Sequence, residues 1–368
     1  MIPYLLLVLI PFVLGAVELV GQNYNKLYLS SKIQQTVSTS EYIGCWICIT
    51  VFSIIIGCTD GNGLDWWTPT GGYAKIDYSQ ISLLDWTQFE GGFVLANQLA
   101  GNFHVFIFFM ALICIFIVYK IIIRESPYPL VSLTFFILST ALYLFMGVYR
   151  HAIAETIVML AWLCRENRKK QVFIILLGMT FHIAAAVALI YLIIPQRKVL
   201  PQKVIIFILG ISILFRIAIT ILLPLLLPFI GGGAVGEKLV YYEATEGFGG
   251  SFGFNYFLFR CFIVFIAYLY IDKKDKRQVF YFNTYLLSVA VYIALTISDT
   301  FFRLSMFFSI SEVVLIPIVI RQIKKRHKYS LMHIVMYLLF SALYFYTYFK
   351  QLYESEKFYI PYKSVFYL

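Results

Sequence analysis

Residues 103–123, FHVFIFFMALICIFIVYKIII, decide the fold: an apolar run interrupted only by His104 and Lys120. A helix rising about 1.5 Å per residue needs about 20 residues to cross the hydrocarbon of a bilayer, and this run has that length. Comparable runs lie on either side of it, near 3–20, 42–58, 128–148, 151–164, 172–194, 204–223, 254–271, 279–298, 301–320 and 331–349. The 368 residues are 61% hydrophobic and 13% charged, with a mean hydropathy of +0.83. A soluble core cannot absorb that much apolar surface. The expected fold is all-α, a polytopic integral membrane protein forming a single domain over 1–368, with about 10–11 transmembrane helices and two longer outer loops. The first run, from Ile2 to Val20, has no Lys or Arg ahead of it and no small-residue cleavage site behind it, so it reads as a retained helix rather than a signal peptide.

The net charge of +10 would suggest nucleic acid in a soluble chain, but here the basic residues gather in short loops between spans. Arg165-Glu166-Asn167-Arg168-Lys169-Lys170, Lys273-Lys274-Asp275-Lys276-Arg277 and the stretch from Arg321 to Lys328 therefore mark cytoplasmic loops, and no nucleic-acid partner is implied. The long connections 59–102 and 224–253 hold Asp60, Asp65, Asp77, Asp85, Glu90, Glu237, Glu243 and Glu246 against only Lys75 and Lys238, and are expected to face outward. One stretch breaks this parity. The basic loop Arg197–Lys203 would face outward if 172–194 and 204–223 each crossed once. Either 172–194 is a re-entrant pair broken near His182, or 204–230 turns back at Arg216, or one loop disobeys the charge rule.

Several literal motifs lack the context that would give them chemistry. Cys45, Cys48, Cys58, Cys114, Cys164 and Cys261 fall within or at the ends of apolar runs, which argues against a disulfide framework. The Cys45-Trp46-Ile47-Cys48 spelling has no thioredoxin surroundings. Gly231-Gly232-Gly233-Ala234-Val235-Gly236 follows Pro224 and Pro228 without a preceding strand, so it is not a dinucleotide loop. Asp60-Gly61-Asn62-Gly63-Leu64-Asp65 opens like a calcium loop but has Gly71 where a bidentate Glu is needed, and reads as a turn. No zincin or Walker motif is present.

The chemistry therefore rests on ionisable groups in apolar surroundings, each of which costs roughly 2.5–3.5 kcal/mol at the bilayer centre. Arg150 and His151 stand in Tyr149-Arg150-His151-Ala152-Ile153-Ala154-Glu155. Arg150, Arg260 and Arg303 are expected to converge at the outer membrane level, where a guanidinium fork suits phosphate or carboxylate better than lysine does. Against this stand pairing of Arg150 with Glu155 and of Arg303 with Asp299, and plain interfacial anchoring. His151 and Glu155 are four apart and share a helix face. His182, between Phe181 and Ile183, is a helix-packing hydrogen bonder or a base. Arg216 splits an otherwise unbroken run, and its role hangs on the topology of that region.

Gly147-Val148-Tyr149-Arg150-His151-Ala152-Ile153-Ala154, the basic loop after it, and Gly178-Met179-Thr180-Phe181-His182-Ile183-Ala184-Ala185 resemble the EpsG-type branch of bacterial polysaccharide polymerases, related to the Wzy O-antigen polymerases. Gly63-Leu64-Asp65 with Phe89-Glu90-Gly91-Gly92-Phe93, and Phe302-Arg303-Leu304-Ser305-Met306-Phe307-Phe308 with Pro317, are similar to that family's first outer region and late Arg-containing helix. His151 stands where the family usually has Gln, and Ala184 where it has Ser. The resemblance implies a multi-pass glycosyltransferase of the bacterial cytoplasmic membrane. It would polymerise oligosaccharide units carried on undecaprenyl diphosphate at the outer face, without a cofactor or metal, for O-antigen lipopolysaccharide, capsule or exopolysaccharide.

In that chemistry arginines would stabilise the departing diphosphate and a base would take the proton of the attacking hydroxyl. His151 is the first candidate base, with Asp65, Glu90 and His182 in reserve. Arg260, Arg303, Arg216, Glu90, Tyr241 and Tyr242 are the expected substrate contacts, the two tyrosines belonging to a glycine-hinged outer loop. The aromatic tail from Tyr353 to Tyr367 is expected at the membrane interface. Membrane lipids, chain-length regulators and flippases are the implied partners. The competing classes are a flippase or exporter of lipid-linked sugars, disfavoured by the absence of a twofold repeat, and a membrane ligase or acyltransferase acting on surface glycan.

Overall fold

A backbone surrounded by hydrocarbon must satisfy its own amides, and along one segment only a helix does so. The computed structural model describes residues 1–21, 38–63, 73–86, 89–230, 253–296, 299–327 and 331–366, and at 227–230, 299 and 300 the backbone alone; the described residues form helices and turns, with no strand. Six of these helices are long and apolar enough to cross a membrane, or seven if a pair bent by 40° at a short break is one span. The chain is an all-α, multi-pass membrane protein. It divides into two compact units, one of Met1–Leu192 with Ile316–Leu368 and the other of Ile193–Leu315.

In the first unit α1 (Ile2–Gly21), α2 (Thr39–Gly57), α3 (Gly91–Ala100), α4 (Phe103–Glu125), α5 (Pro129–Thr140), α6 (Tyr149–Leu163) and α7 (Arg168–Met179) follow in order. Their starts are dictated locally. Ser38 and Glu41 form a reciprocal capping box on α2, and Asn102 and Asn167 cap α4 and α7. Helix α5 has no cap of its own. The carboxylate of Glu18, 4% exposed on α1, accepts the Leu130 and Val131 N–H groups at 3.0 Å each, meeting the need for an acceptor at a buried helix start.

The expected span 172–194 is two pieces. Helix α7 ends at Met179, and a 3-10 helix runs over Ile183–Leu192. A Cβ on Gly178 would lie 3.5 Å from the Cβ of Ala185, whereas seven residues of continuous α-helix span about 10 Å. The chain therefore doubles back at Thr180–His182. Gln171 Nε2 donates to the Ala161 carbonyl at 3.3 Å, which sets α7 antiparallel to α6, and Tyr191 on the return limb faces Trp162 near the far end of α6. Both ends of the hairpin thus lie toward the Arg165–Lys170 end of α6, and the chain enters Arg197–Lys203 from there. Of the three ways to reconcile that basic loop with the charge rule, this geometry fits the re-entrant pair.

In the tail, Tyr359 is fully buried, its carbonyl accepting from Tyr4 Oη at 2.6 Å, while Tyr353 and Phe366 are exposed. Asn62 Nδ2 donates to the Tyr359 and Pro361 carbonyls, both at 3.0 Å. Gly63, at φ +110°, would carry a Cβ only 1.5 Å from the Met146 carbonyl oxygen, so glycine alone fits there. The Asp60–Gly63 stretch is a turn stapled by the tail. The connection 59–102 also holds α3 and two short 3-10 turns; α3 is too short for hydropathy to single out.

The second unit contains α8 (Gln202–Ile230), α9 (Phe254–Tyr270), α10 (Lys276–Leu295), α11 (Asp299–Ser309) and the first turn of α12 (Glu312–Arg326). α12 continues into the first unit, which α13 (Met332–Glu354) and α14 (Glu356–Tyr359) complete. Only 6% of the most apolar stretch of α8 is buried, an outward apolar surface suited to lipid. The Asn283 amide donates to the Pro195 and Lys198 carbonyls at 2.8 and 3.0 Å and ties the basic connection to α10. All six cysteines are unbridged.

Candidate functional site

Glu90 organises the site in the first unit. It occupies the N-cap position of α3 but gives that helix no side-chain hydrogen bond. Its carboxylate turns instead toward α6 and the hairpin, accepting from Arg150 Nη1 at 2.9 Å, His182 Nδ1 at 3.0 Å and the Ile183 backbone N–H at 3.0 Å. A glycine lets the backbones approach. Gly92 N–H donates to the Thr180 carbonyl at 2.8 Å, and a Cβ on Gly92 would sit 2.5 Å from Thr180 Oγ1. The Phe89 and Tyr73 rings lie 5.2 and 5.9 Å from the Arg150 guanidinium carbon, within cation–π range.

The electrostatics follow from that geometry. Burial by itself would raise the Glu90 carboxyl; the His182 N–H, the Arg150 charge and the Ile183 amide outweigh it and bring it from 4.5 down to about 2. An ionised carboxylate only accepts, so His182 Nδ1 carries the proton, and in the neutral ring the basic lone pair belongs to Nε2. The side chains of Arg150 and His182 are 25% and 21% exposed, against 8% for Glu90. A recessed anion thus holds a part-exposed guanidinium and a part-exposed imidazole side by side. Deeper in, the His151 ring meets the His182 ring edge-on at 5.5 Å, and His151 Nε2 lies 3.3 Å from Glu155 Oε2 one turn along α6.

The sequence-expected residues separate accordingly. Arg150, Glu90 and His182 come together. His151, the first candidate for the base, has a side chain only 1% exposed and shares a helix face with Glu155 as its spacing predicts. The anticipated Arg150–Glu155 pair is not formed; Arg150 bonds Glu90, because Glu155 points to His151. Arg260 and Arg303 belong to the second unit. Arg260 is 1% exposed, with the Tyr256 and Tyr292 rings 4.6 and 4.9 Å from its guanidinium carbon and the Tyr256 hydroxyl at 2.9 Å. Arg303 is half-buried. Arg216 Nη1 donates to the Thr296 carbonyl. Asp65, Tyr241 and Tyr242, and the side chain of Asp299, lie outside the described residues.

Tyr73, Phe89 and the Ile183 amide were not singled out from the sequence. The nearest signal was Phe89-Glu90-Gly91-Gly92, an acid followed by two residues without side chains. The profile of the EpsG family matches residues 42–364. The chain belongs to the EpsG family. That match spans Glu90, Arg150 and both halves of the hairpin, and the family makes this a polysaccharide-polymerase-like membrane protein, associated with glycosyltransferase-like polymerases. No curated protein and no solved structure matches the chain.

Proposed function

We propose that this protein polymerises oligosaccharide repeat units carried on undecaprenyl diphosphate, at the outer face of the bacterial cytoplasmic membrane. The observation that carries the reading is the single carboxylate of Glu90 holding Arg150 and His182 together where α6 begins and the hairpin turns. Helix α6 places Arg150 at one end and the basic loop Arg165–Lys170 just beyond the other. The positive-inside rule then assigns the Arg150 end to the non-cytoplasmic side.

The reaction needs two services from the protein. The oxygen of the acceptor sugar hydroxyl attacks the anomeric carbon of the donor, and its proton passes to His182 Nε2. The bond from that carbon to the diphosphate oxygen breaks, and its electron pair stays on the diphosphate. Arg150 stabilises the charge that develops there, from a preorganised position and with little reorganisation. The reading assigns the base to His182 rather than His151, since the former reaches the surface and the latter does not. Arg260, enclosed by tyrosines, and Arg216, engaged with a carbonyl, take no part in it.

The test is the surface glycan of a deletion strain complemented with variants. Deletion should leave single repeat units attached; normal chain lengths refute the polymerase, no attached units indicates a ligase, and loss of export indicates a flippase. Arg150→Ala should lower chain extension by roughly 100-fold or more, the range for removing one oxyanion-stabilising donor. Arg150→Lys, which keeps the charge without the fork, should restore only part of it. Wild-type chains from both variants would reduce Arg150 to an anchor.

A further inference from the structure

Within the second unit, three helices leave a space between them that the proposed reaction does not use. The start of α8, the end of α9 and the middle of α10 enclose a cavity of about 400 Å³, a size that suits a ligand. Leu286 and Val289 of α10, both buried, form its floor. Ile206 of α8 and Phe265 of α9 form its rim and are 70% and 60% exposed, so it opens through the apolar surface that α8 turns outward. Its polar lining, Gln202 and Tyr268, stands where α8 begins and α9 ends. Positive charge gathers at that end. The Lys273 ammonium lies 3.9 Å from the centre of the Tyr268 ring. Arg197, Lys198 and Lys203 flank Gln202 in the chain and are exposed, and the Asn283 amide, one turn before Leu286, holds the Pro195 and Lys198 carbonyls against α10. The nearby acids are engaged in their own turns: Asp272 accepts the Lys274 N–H at 3.0 Å, and Asp275 caps α10 at 2.9 and 3.3 Å.

We infer that this cavity binds an anionic phospholipid of the cytoplasmic leaflet, with one acyl chain lying between α8 and α9 and the phosphate held by Lys273, Lys198 and Lys203. Each part of the site selects that occupant. The apolar floor and the opening toward hydrocarbon give a soluble anion nothing to bury, whereas an acyl chain enters from the bilayer. The cations at the mouth favour a headgroup of net negative charge over a zwitterionic one, which brings an ammonium of its own into the same positive field. The basic connections are those that the positive-inside rule assigns to the cytoplasm, and basic pockets between membrane helices on that side suit anionic headgroups. The inference does not depend on the polymerase reading or on the residues around Glu90.

Photolabelling tests the site. The full-length protein in neutral detergent is irradiated with phosphatidylglycerol carrying a diazirine in one acyl chain, and labelled peptides are mapped by mass spectrometry. Label should fall on residues 205–209 and 261–268, and unlabelled phosphatidylglycerol should displace it where phosphatidylcholine with the same chains does not. Lys273→Gln should weaken binding about fivefold, the effect of one basic side chain near a charged headgroup, and Lys273→Arg should keep it. Lys198→Gln, a second variant should the first fail to fold, should act in the same direction. Leu209→Trp fills the slot, leaves the cations in place and should abolish the label at 261–268. Equal labelling by a diazirine phosphatidylcholine, or unchanged binding in both glutamine variants, overturns the inference and leaves the cavity to lipid of any headgroup. Displacement by undecaprenyl phosphate at lower concentration than by phosphatidylglycerol overturns it in favour of an isoprenoid occupant. None of these readouts needs glycan synthesis, so the site stands or falls apart from the polymerase reading.

Discussion

Replacing Glu90 by Gln removes one charge and keeps the shape, and the structure sets what that should cost. The carboxylate accepts from Arg150, His182 and Ile183 at 2.9–3.0 Å and is 8% exposed. A glutamine offers one acceptor oxygen, and its NH2 group faces a donor on Arg150 or His182. Removing one partner of a buried pair costs about 3–5 kcal/mol. Arg150 is a quarter exposed and regains water, which brings the expectation down to about 2–3 kcal/mol. Thermal unfolding of purified protein at neutral pH should show Tm lowered by roughly 3–4 °C. The pH dependence supplies an internal control. The Glu90 carboxyl is lowered from 4.5 to about 2 in the folded protein, so its contribution is fully present above pH 4.5 and is lost as pH falls from there toward 2. The gap between wild type and Glu90→Gln should therefore narrow in that window. A variant that melts with wild type at neutral pH, or a gap that stays constant into acid, would refute the view that this anion organises the site.

Two further outcomes follow from backbone geometry. Gly63→Ala puts a Cβ against the Met146 carbonyl at a positive φ and should cost roughly 3 kcal/mol or more, read as a lower Tm and faster proteolysis of the C-terminal tail, which Gly63 N–H holds through the Phe358 carbonyl. Glu18→Ala strips the acceptor from the Leu130 and Val131 amides at the buried start of α5. It should cost about 2–4 kcal/mol, whereas Glu18→Gln, which keeps one oxygen, should cost about half of that; equal melting of all three proteins would remove the capping role.

The extent to which the fold was legible follows from how it is encoded. The run at 103–123 announces itself because every residue contributes to the transfer free energy, and the structure places Phe103–Glu125 there. The span 172–194 is equally apolar, yet it is a hairpin. Its turn depends on Gly178 meeting Val158 and Ala185 and on Glu90 accepting the Ile183 amide, contacts between residues distant in sequence that hydropathy does not measure. The surroundings of Arg260 were illegible for the same reason, since nothing local states that Tyr256 and Tyr292 enclose it. His151 with Glu155 was legible, because a spacing of four fixes a shared helix face.

By itself the sequence determined the class of solvent, the all-helical answer to it, the family and the residues carrying unusual charge, since each is a sum over local composition or a short motif. Tertiary structure alone decided which charges meet. Glu90 finds Arg150 across 60 residues and His182 across 92, and that encounter separates the part-exposed imidazole from the buried one. Burial and hydrogen-bond partnership are properties of neighbours in space, and a buried charge takes its meaning from them.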